Sequence, residues 1–414
     1  MAEKSQYDSV LLPAASIDVF AASDETKDTL SVLTEDWRFA RVEMNVGLQG
    51  IDAAIQKYSE HSSPELVIIG TDDISEDFIA KLEELAGHCI EGTEAIVIGP
   101  ENDVKLYRKL VGMGVRDYLV RPVSGEDISN VITKALFEKK GISQSRLITV
   151  LGSKGGVGTT SISQILAWSM AEDLGLKTFL MDASGGWSSM GAAFGKDPSA
   201  SLAECIRHAA EGTDEDLQRM YTQVTERLTL FSCGGDDLIR YAVDGDQYEK
   251  AVDRIMQTYP VVIVDLSFAP ADVRRRMVER ASDVVIVTTP ALTALRSARS
   301  LLKEIKALRG EKQDVIDLIV NKKGKYGGKE IAEGDIETAL NHAPQVVLPF
   351  KPELFAEVET QGKPLAKIKN GKGVTDQLKD VARHAANYHK DTPPKSKKDT
   401  SIISKLFSGL PGKG

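Results

Sequence analysis

Residues 147–170 read LITVLGSKGGVGTTSISQILAWSM. A β-branched apolar run, Leu147–Leu151, enters a loop of glycines and leaves as a helix that opens on hydroxyl residues. Glycines let successive backbone N–H groups turn inward around phosphate oxygens, and the helix N-terminus adds a partial positive charge. Thr160 stands where a hydroxyl would reach Mg2+. A glycine turn by itself only joins a strand to a helix; the full strand–loop–helix context makes this one a candidate phosphate loop.

On the C-terminal side the same alternation continues. Apolar strands are expected at 178–181, 228–231, 261–266, 284–288, 316–320 and 345–348. Continuous runs such as VVIVDL and DVVIVTT suit strands covered on both faces, as in a doubly wound sheet. The strand Val261–Leu266 carries Asp265 near its end, which places a carboxylate at the sheet's C-terminal edge, beside the metal of a phosphate site. The competing reading is a turn aspartate.

On the N-terminal side, 16–22, 64–70, 93–99 and 115–120 read as strands, with helical spacing at 48–58, 76–86, 103–113 and 126–137. The polar stretch EKKGISQS (138–145) marks a boundary. The expected fold is α/β, with two doubly wound parallel-sheet domains over 1–140 and 145–390. Residues 391–414 follow as a linker and a short basic tail.

Composition agrees with two packed domains. The 414 residues are 42% hydrophobic, enough for a core in each, and 51 basic against 61 acidic residues leave a net charge of −10. That balance lacks a basic footprint for nucleic acid, so no specific nucleic-acid partner is expected. Three scattered cysteines, Cys89, Cys205 and Cys233, fit a reducing, cytoplasmic compartment and no metal-ligand spacing. No apolar run approaches the ~18 residues of a membrane span. The tail SIISKLFSGLPGKG sets Ile402, Ile403, Leu406 and Phe407 on one helical face, and 391–414 holds five lysines against two aspartates. A membrane surface, a partner groove and a plain unstructured tail all remain open for it.

The run Lys154-Gly155-Gly156-Val157-Gly158 resembles the deviant Walker A loop of the MinD/ParA family, whose early signature lysine crosses a dimer to the partner's phosphates. Lys154 matches that lysine, while Thr159 takes the place where most relatives carry the Walker lysine and Ser153 that of the first glycine. The resemblance implies ATP and Mg2+ as ligands, with Lys154–Thr160 around the nucleotide. Relatives place two carboxylates after the next strand; Asp182 matches the first, and Ser184 replaces the second, which orients the attacking water. The competing reading of Asp182 is a helix or turn cap at a strand end. Thr160, Asp182 and Asp265 are the expected Mg2+ residues, the aspartates through water. The resemblance assigns adenine reading to Asn321 and closure over the base to the segment around Pro349; an asparagine at a strand end is otherwise a turn residue. The resemblance assigns no catalytic residue outright; Lys154, as the signature lysine, and Asp182 are the candidates, and hydrolysis is expected to be slow or absent.

A narrower resemblance is to the CpaE/TadZ proteins of Flp (tight-adherence) pilus assembly, carried by Asp265-Leu266-Ser267, TTPALTALRSARSLLKEI, Asn321 and LPFKPELFAEVETQGKPLAKI. It implies an N-terminal receiver-like domain. There Gly70 falls at the phosphoacceptor position, Arg121-Pro122 replaces Lys-Pro, and Asp24 and Glu25 follow the first strand; Asp72 or Asp73 could serve as a shifted acceptor. The function so implied is an ATP-binding homodimer that localises Flp/Tad machinery, cytoplasmic or peripheral at the inner membrane or cell pole. The alternatives are an active ParA/MinD-type ATPase positioning cargo or DNA, and a response regulator.

Overall fold

The structure is a computed structural model and describes residues 12–139, 141, 145–198, 200–235, 244–309 and 316–387. The tail at 391–414 lies outside the described residues.

The N-terminal sheet has five parallel strands: β1 (Ala15–Phe20), β2 (Val42–Gly47), β3 (Leu66–Gly70), β4 (Glu94–Gly99) and β5 (Asp117–Val120). Their order is β2-β1-β3-β4-β5, a doubly wound arrangement whose switch point lies between β1 and β3. Helices Asp24–Leu33 and Gly125–Lys139 bury Leu30, Ile128 and Ile132 against one face. Helices Ile51–Glu60, Glu76–His88 and Val104–Gly112 bury Tyr58, Phe78 and Leu110 against the other. Every residue of β3 (LVIIG) is buried, as expected of a central strand covered on both sides.

The second sheet holds β6 (Arg146–Gly152), β7 (Thr178–Asp182), β8 (Thr222–Gln223), β9 (Leu228–Phe231), β10 (Val261–Asp265), β11 (Asp283–Thr288), β12 (Ile316–Lys323) and β13 (Val346–Pro349). The order is β13-β12-β11-β6-β10-β7-β9-β8, so β6 sits centrally between β11 and β10. All its neighbours pair in parallel except the two-residue edge strand β8, which runs antiparallel to β9 and departs from the all-parallel expectation. The helix Thr159–Trp168 follows β6 and packs Ile162, Ile165 and Leu166 into the core over β6, β7 and β10. The C-terminal ends of β6, β7, β10, β11 and β12 therefore lie along one edge of the sheet.

Two N-terminal elements differ from the sequence expectation. The strand β2 and the helix Asp24–Leu33 were not anticipated: β2 reads VEMNVG, and its polar positions Glu43 and Asn45 face solvent on an edge strand. The chain also leaves β1 at Phe20 rather than 22, because Ser23 caps the next helix by accepting the Thr26 N–H. β3 begins at Leu66, two residues after Pro64, which lacks an N–H for the ladder.

Candidate functional site

The loop after β6 is held open at its mouth and pinned at its base. The Ser153 N–H donates to the Val287 carbonyl (2.8 Å), and its hydroxyl bonds Thr288 Oγ1 at 3.0 Å. Ser297 donates its hydroxyl to the Ser153 carbonyl. The serine in the first-glycine place is thus buried and tied to β11 and the following helix, where a glycine would make only its backbone bonds. Gly156 (φ +76°) and Gly158 (φ +100°) take the left-handed conformation that turns the chain. A Cβ at Gly155 or Gly156 would meet nothing within 4 Å, so the loop faces open space. Gly158 caps the helix without a side chain, leaving the first-turn N–H groups without an intrahelical acceptor. Those donors and the helix dipole make an anion-binding end. Lys154 is exposed, its Nζ 3.3 Å from the Gly155 carbonyl, and Thr159 is buried.

Two carboxylates stand beside this loop. Asp182 ends β7 and Asp265 ends β10, directly opposite in the parallel register. Asp182 accepts the Ser184 N–H at 2.9 Å and the Cys233 N–H at 3.2 Å. Burial still pushes its pKa up, with the Ser188 hydroxyl and these N–H groups opposing. Asp265 accepts the Ser267 N–H at 2.9 Å, and burial pushes it up to about 6 against the pull of the Ser267 and Thr160 hydroxyls. The Thr160 hydroxyl itself donates to Ser267 Oγ at 3.4 Å. Thr160, Asp182 and Asp265 therefore converge on one edge as three hard oxygen donors, the set that suits Mg2+. Among the described residues no group of three His, Cys, Asp or Glu side chains could hold a metal ion. Ser184, at the second switch position, gives its hydroxyl to the Gly186 carbonyl (3.4 Å), and no carboxylate replaces it.

Asn321, in β12, approaches the loop from the far side. Its Nδ2 donates to the Val157 carbonyl (2.9 Å) and its Oδ1 accepts the Lys322 N–H (2.8 Å). Asn321 is therefore a brace of the loop, with one amide hydrogen and one lone pair left for a base. Lys322 follows in the left-handed region (φ +62°), a conformation that costs a non-glycine residue on the order of 1–3 kcal/mol, and donates its Nζ to the Gly156 carbonyl at 2.6 Å. Pro349 pairs with Lys323 past a bulge in β12, and the next N–H, of Phe350, donates to the Lys323 carbonyl. The expected site residues from the loop, β7, β10, β12 and β13 thus share one edge of the sheet.

Comparison with known proteins bears on this edge. The septum site-determining protein MinD of Synechocystis is 28% identical over 181 residues, 43% of this chain and 65% of that protein. A ParA family ATPase from Chlorobium tepidum matches the fold with a TM-score of 0.52 at 21% identity, over 58% of this chain and 99% of its own. The chain has P-loop ATPases of the MinD/ParA family as homologues. It spans 55 to 65% of the length of the curated relatives it matches. A putative CpaE2 pilus assembly protein from Sinorhizobium meliloti is 38% identical over 29% of this chain and 98% of its own, with a TM-score of 0.28. No family profile matches.

The N-terminal sheet of this MinD/ParA homologue has a different edge. A Cβ on Gly70 would lie 2.6 Å from the Ala22 backbone nitrogen, so the chain as it stands leaves no room for an acceptor side chain there. Asp72, beyond it, is exposed and ion-paired with Arg121 at 2.6 Å. Arg121 also donates to the Thr71 carbonyl (2.9 Å), and the Arg121–Pro122 peptide is cis. Asp24 and Glu25 lie exposed in the first turn of their helix.

Sequence reading missed Ser188, Cys233, Ser267 and Lys322. Ser188 and Cys233 reach Asp182 through hydroxyl or backbone donors that carry no motif, and Ser267, quoted only within Asp265-Leu266-Ser267, was given no role although its N–H bonds Asp265. For Lys322 the tandem lysine in IVNKK was the available signal. No helix among the described residues is long and apolar enough to cross a membrane.

Proposed function

We propose that this chain is an ATP- and Mg2+-binding, dimerising assembly and localisation factor for a Flp (Tad) pilus apparatus, with weak or no hydrolysis. The observation that carries the nucleotide half is the open loop of Lys154–Thr160 set against Thr160, Asp182 and Asp265. The fit is chemical: two buried carboxylates with raised pKa values are groups that a divalent cation discharges. Bound Mg-nucleotide would supply the charge bridging the loop to those acids. The loop amides and the first-turn N–H groups hold phosphate oxygens, Thr160 offers its hydroxyl to the metal, and Asp182 and Asp265 act on the metal through water. Asn321 offers its remaining amide hydrogen to a base, and Pro349 flanks it on the rim.

The expectation of slow turnover rests on Ser184 and Thr159. A serine bound to a backbone carbonyl cannot orient a water as a carboxylate does. A threonine at 159 withholds a charge-assisted phosphate contact of about 1.5–3 kcal/mol. Lys154 is exposed at the loop mouth, and that exposure, with its match to the signature lysine, supports a dimer in which it acts outside its own subunit. The pilus assignment rests on the resemblance of the strand-end and helix motifs to CpaE/TadZ proteins. With it comes the reading of the N-terminal module as receiver-like and silent, supported by the crowding at Gly70. Localisation at the inner membrane or pole belongs to the same proposal.

The test is ATP binding and turnover of the full chain beside the Thr159→Lys/Ser184→Asp double variant. Binding without turnover in the wild type, and turnover gained in the variant, is the expected result. Brisk wild-type hydrolysis with salt-sensitive DNA binding would instead establish the partition-type ATPase. Sedimentation with and without ATP, on wild type and Lys154→Ala, reads the dimer: indifference to both removes the switch.

A further inference from the structure

Position 159 is neutral, yet the loop is not short of positive charge. Lys322 is half-buried at the end of β12, and its Nζ lies 2.6 Å from the Gly156 carbonyl, on the rim of the open loop. Its route there is built into the fold: β12 bulges between Val320 and Lys323, and Lys322 adopts φ +62°. A Cβ on Gly158 would come within 3.9 Å of Lys322 Cε, so the stem lies alongside the helix cap. Among the ion pairs of the described residues, neither Lys322 nor Lys154 has a carboxylate partner, and Lys325 instead covers the rings of Tyr326 and Phe350. Two ammonium groups thus stand at neighbouring loop carbonyls, those of Gly155 and Gly156, and a third, that of Lys325, lies near enough for Lys322 to feel its charge. Burial first, and then the like charges of Lys325 and Lys154 against the pull of Tyr326, hold the Lys322 ammonium below its ordinary pKa. Such a cluster is stabilised by a polyanion seated among its members.

We propose that Lys322 is a phosphate-binding residue of the nucleotide site, delivering from the end of β12 the positive charge that Thr159 does not supply from the helix. Its four-carbon stem is flexible, and rotation moves the ammonium from the Gly156 carbonyl onto the β- or γ-phosphate of a nucleoside di- or triphosphate. The loop's own carbonyl holds the charge in place until the phosphate arrives. This inference rests on the nucleotide-binding reading above and adds to it a residue from a different strand.

The experiment is calorimetric titration of the full chain with Mg-ATP, Mg-ADP and AMP. Wild type is compared with Lys322→Gln, Lys322→Arg and Lys322→Gln/Thr159→Lys, with melting curves as a fold control. The expected result is a loss of about tenfold or more in ATP and ADP affinity in Lys322→Gln, the size of one lost charge-assisted contact, with AMP little changed. The salt dependence of ATP binding should flatten, Lys322→Arg should keep most of the affinity, and Thr159→Lys should restore it in the double variant. Lys322→Gln binding ATP like wild type overturns the proposal. So does an equal loss for ATP and AMP that Thr159→Lys fails to restore, which would make Lys322 only a brace of the loop. If wild type binds no nucleotide at all, the nucleotide reading falls first, and this outcome is distinct from both.

Discussion

Both sheets of this chain end in loops that carry glycine and acid, and they use them in opposite ways. At the end of β3, Gly70 is glycine because a Cβ would come within 2.6 Å of the Ala22 nitrogen. After β6, Gly155 and Gly156 border open space, and Gly156 and Gly158 turn the chain through positive φ. The first glycine serves close packing, and the others leave the loop backbone facing open space. The acids differ too: Asp182 and Asp265 are buried side by side, whereas Asp72 is exposed and neutralised by Arg121. A phosphate site requires unspent N–H groups and charge that the protein has not already paired; among the described residues the loop after β6 offers first-turn N–H groups, with Lys154 and Lys322 in no ion pair.

The largest effect expected from breaking this contrast comes from Gly158→Val. The new side chain meets Asn321 Nδ2, which lies 2.5 Å from the Cβ position, and it must adopt φ +100°. Strain of ~1–3 kcal/mol plus loss of the brace predicts a fall in ATP affinity on the order of 100-fold, read by calorimetry. The melting profile of the N-terminal module should be unchanged. The mirror experiment is Gly70→Asp, which installs the residue an acceptor position asks for. Because backbone blocks the site, the variant should lose about 1–3 kcal/mol of stability in denaturant unfolding and gain no labelling by acetyl phosphate. Efficient labelling at position 70 would show the edge to be plastic and the comparison to be one of residue identity alone.

A third, smaller effect tests the buried acids. Asp265→Asn removes one anionic donor but keeps the Ser267 N–H bond. The ratio of ATP affinity with and without Mg2+ should drop by roughly tenfold, in line with one lost charge-assisted contact. An unchanged ratio would remove Asp265 from the metal's surroundings and leave Thr160 and Asp182 to hold it.

How much of this was legible in the sequence follows from how local each feature is. Val261–Asp265 and Leu66–Gly70 are buried throughout, so an unbroken apolar run announced them. β2 alternates polar and apolar on an edge, and β8 has two residues, so neither rises above its surroundings. The candidate phosphate loop lies within one strand–loop–helix unit and was readable residue by residue. The bonds from Asn321 and Lys322 to that loop span 164 and 166 residues, and only the β-sheet order brings them together. Asn321 was found through resemblance, and its bracing bond to Val157 was invisible. The crowding at Gly70 likewise depends on how β1 and β3 pack, which a glycine in a sequence does not reveal.

The smallest effect is expected at Asp72, where the comparison is also most exposed to refutation. Its carboxylate is solvent-facing and pairs with an arginine that is held independently by the Thr71 carbonyl. Ion pairs of this kind contribute roughly 0–1 kcal/mol, so Asp72→Ala should shift the melting temperature by no more than a few degrees. Arg121 should remain in place, since its bond to Thr71 does not need the partner. The same pairing argues against a phosphoacceptor, because the guanidinium engages Oδ1 and forming an acyl phosphate would remove the carboxylate charge that holds this pair. Incubation with acetyl phosphate should therefore leave wild type and Asp72→Ala equally unlabelled. Labelling of the wild type that disappears in Asp72→Ala would turn the N-terminal sheet into a second phosphate-responsive module, with its acceptor shifted two residues past the crowded glycine.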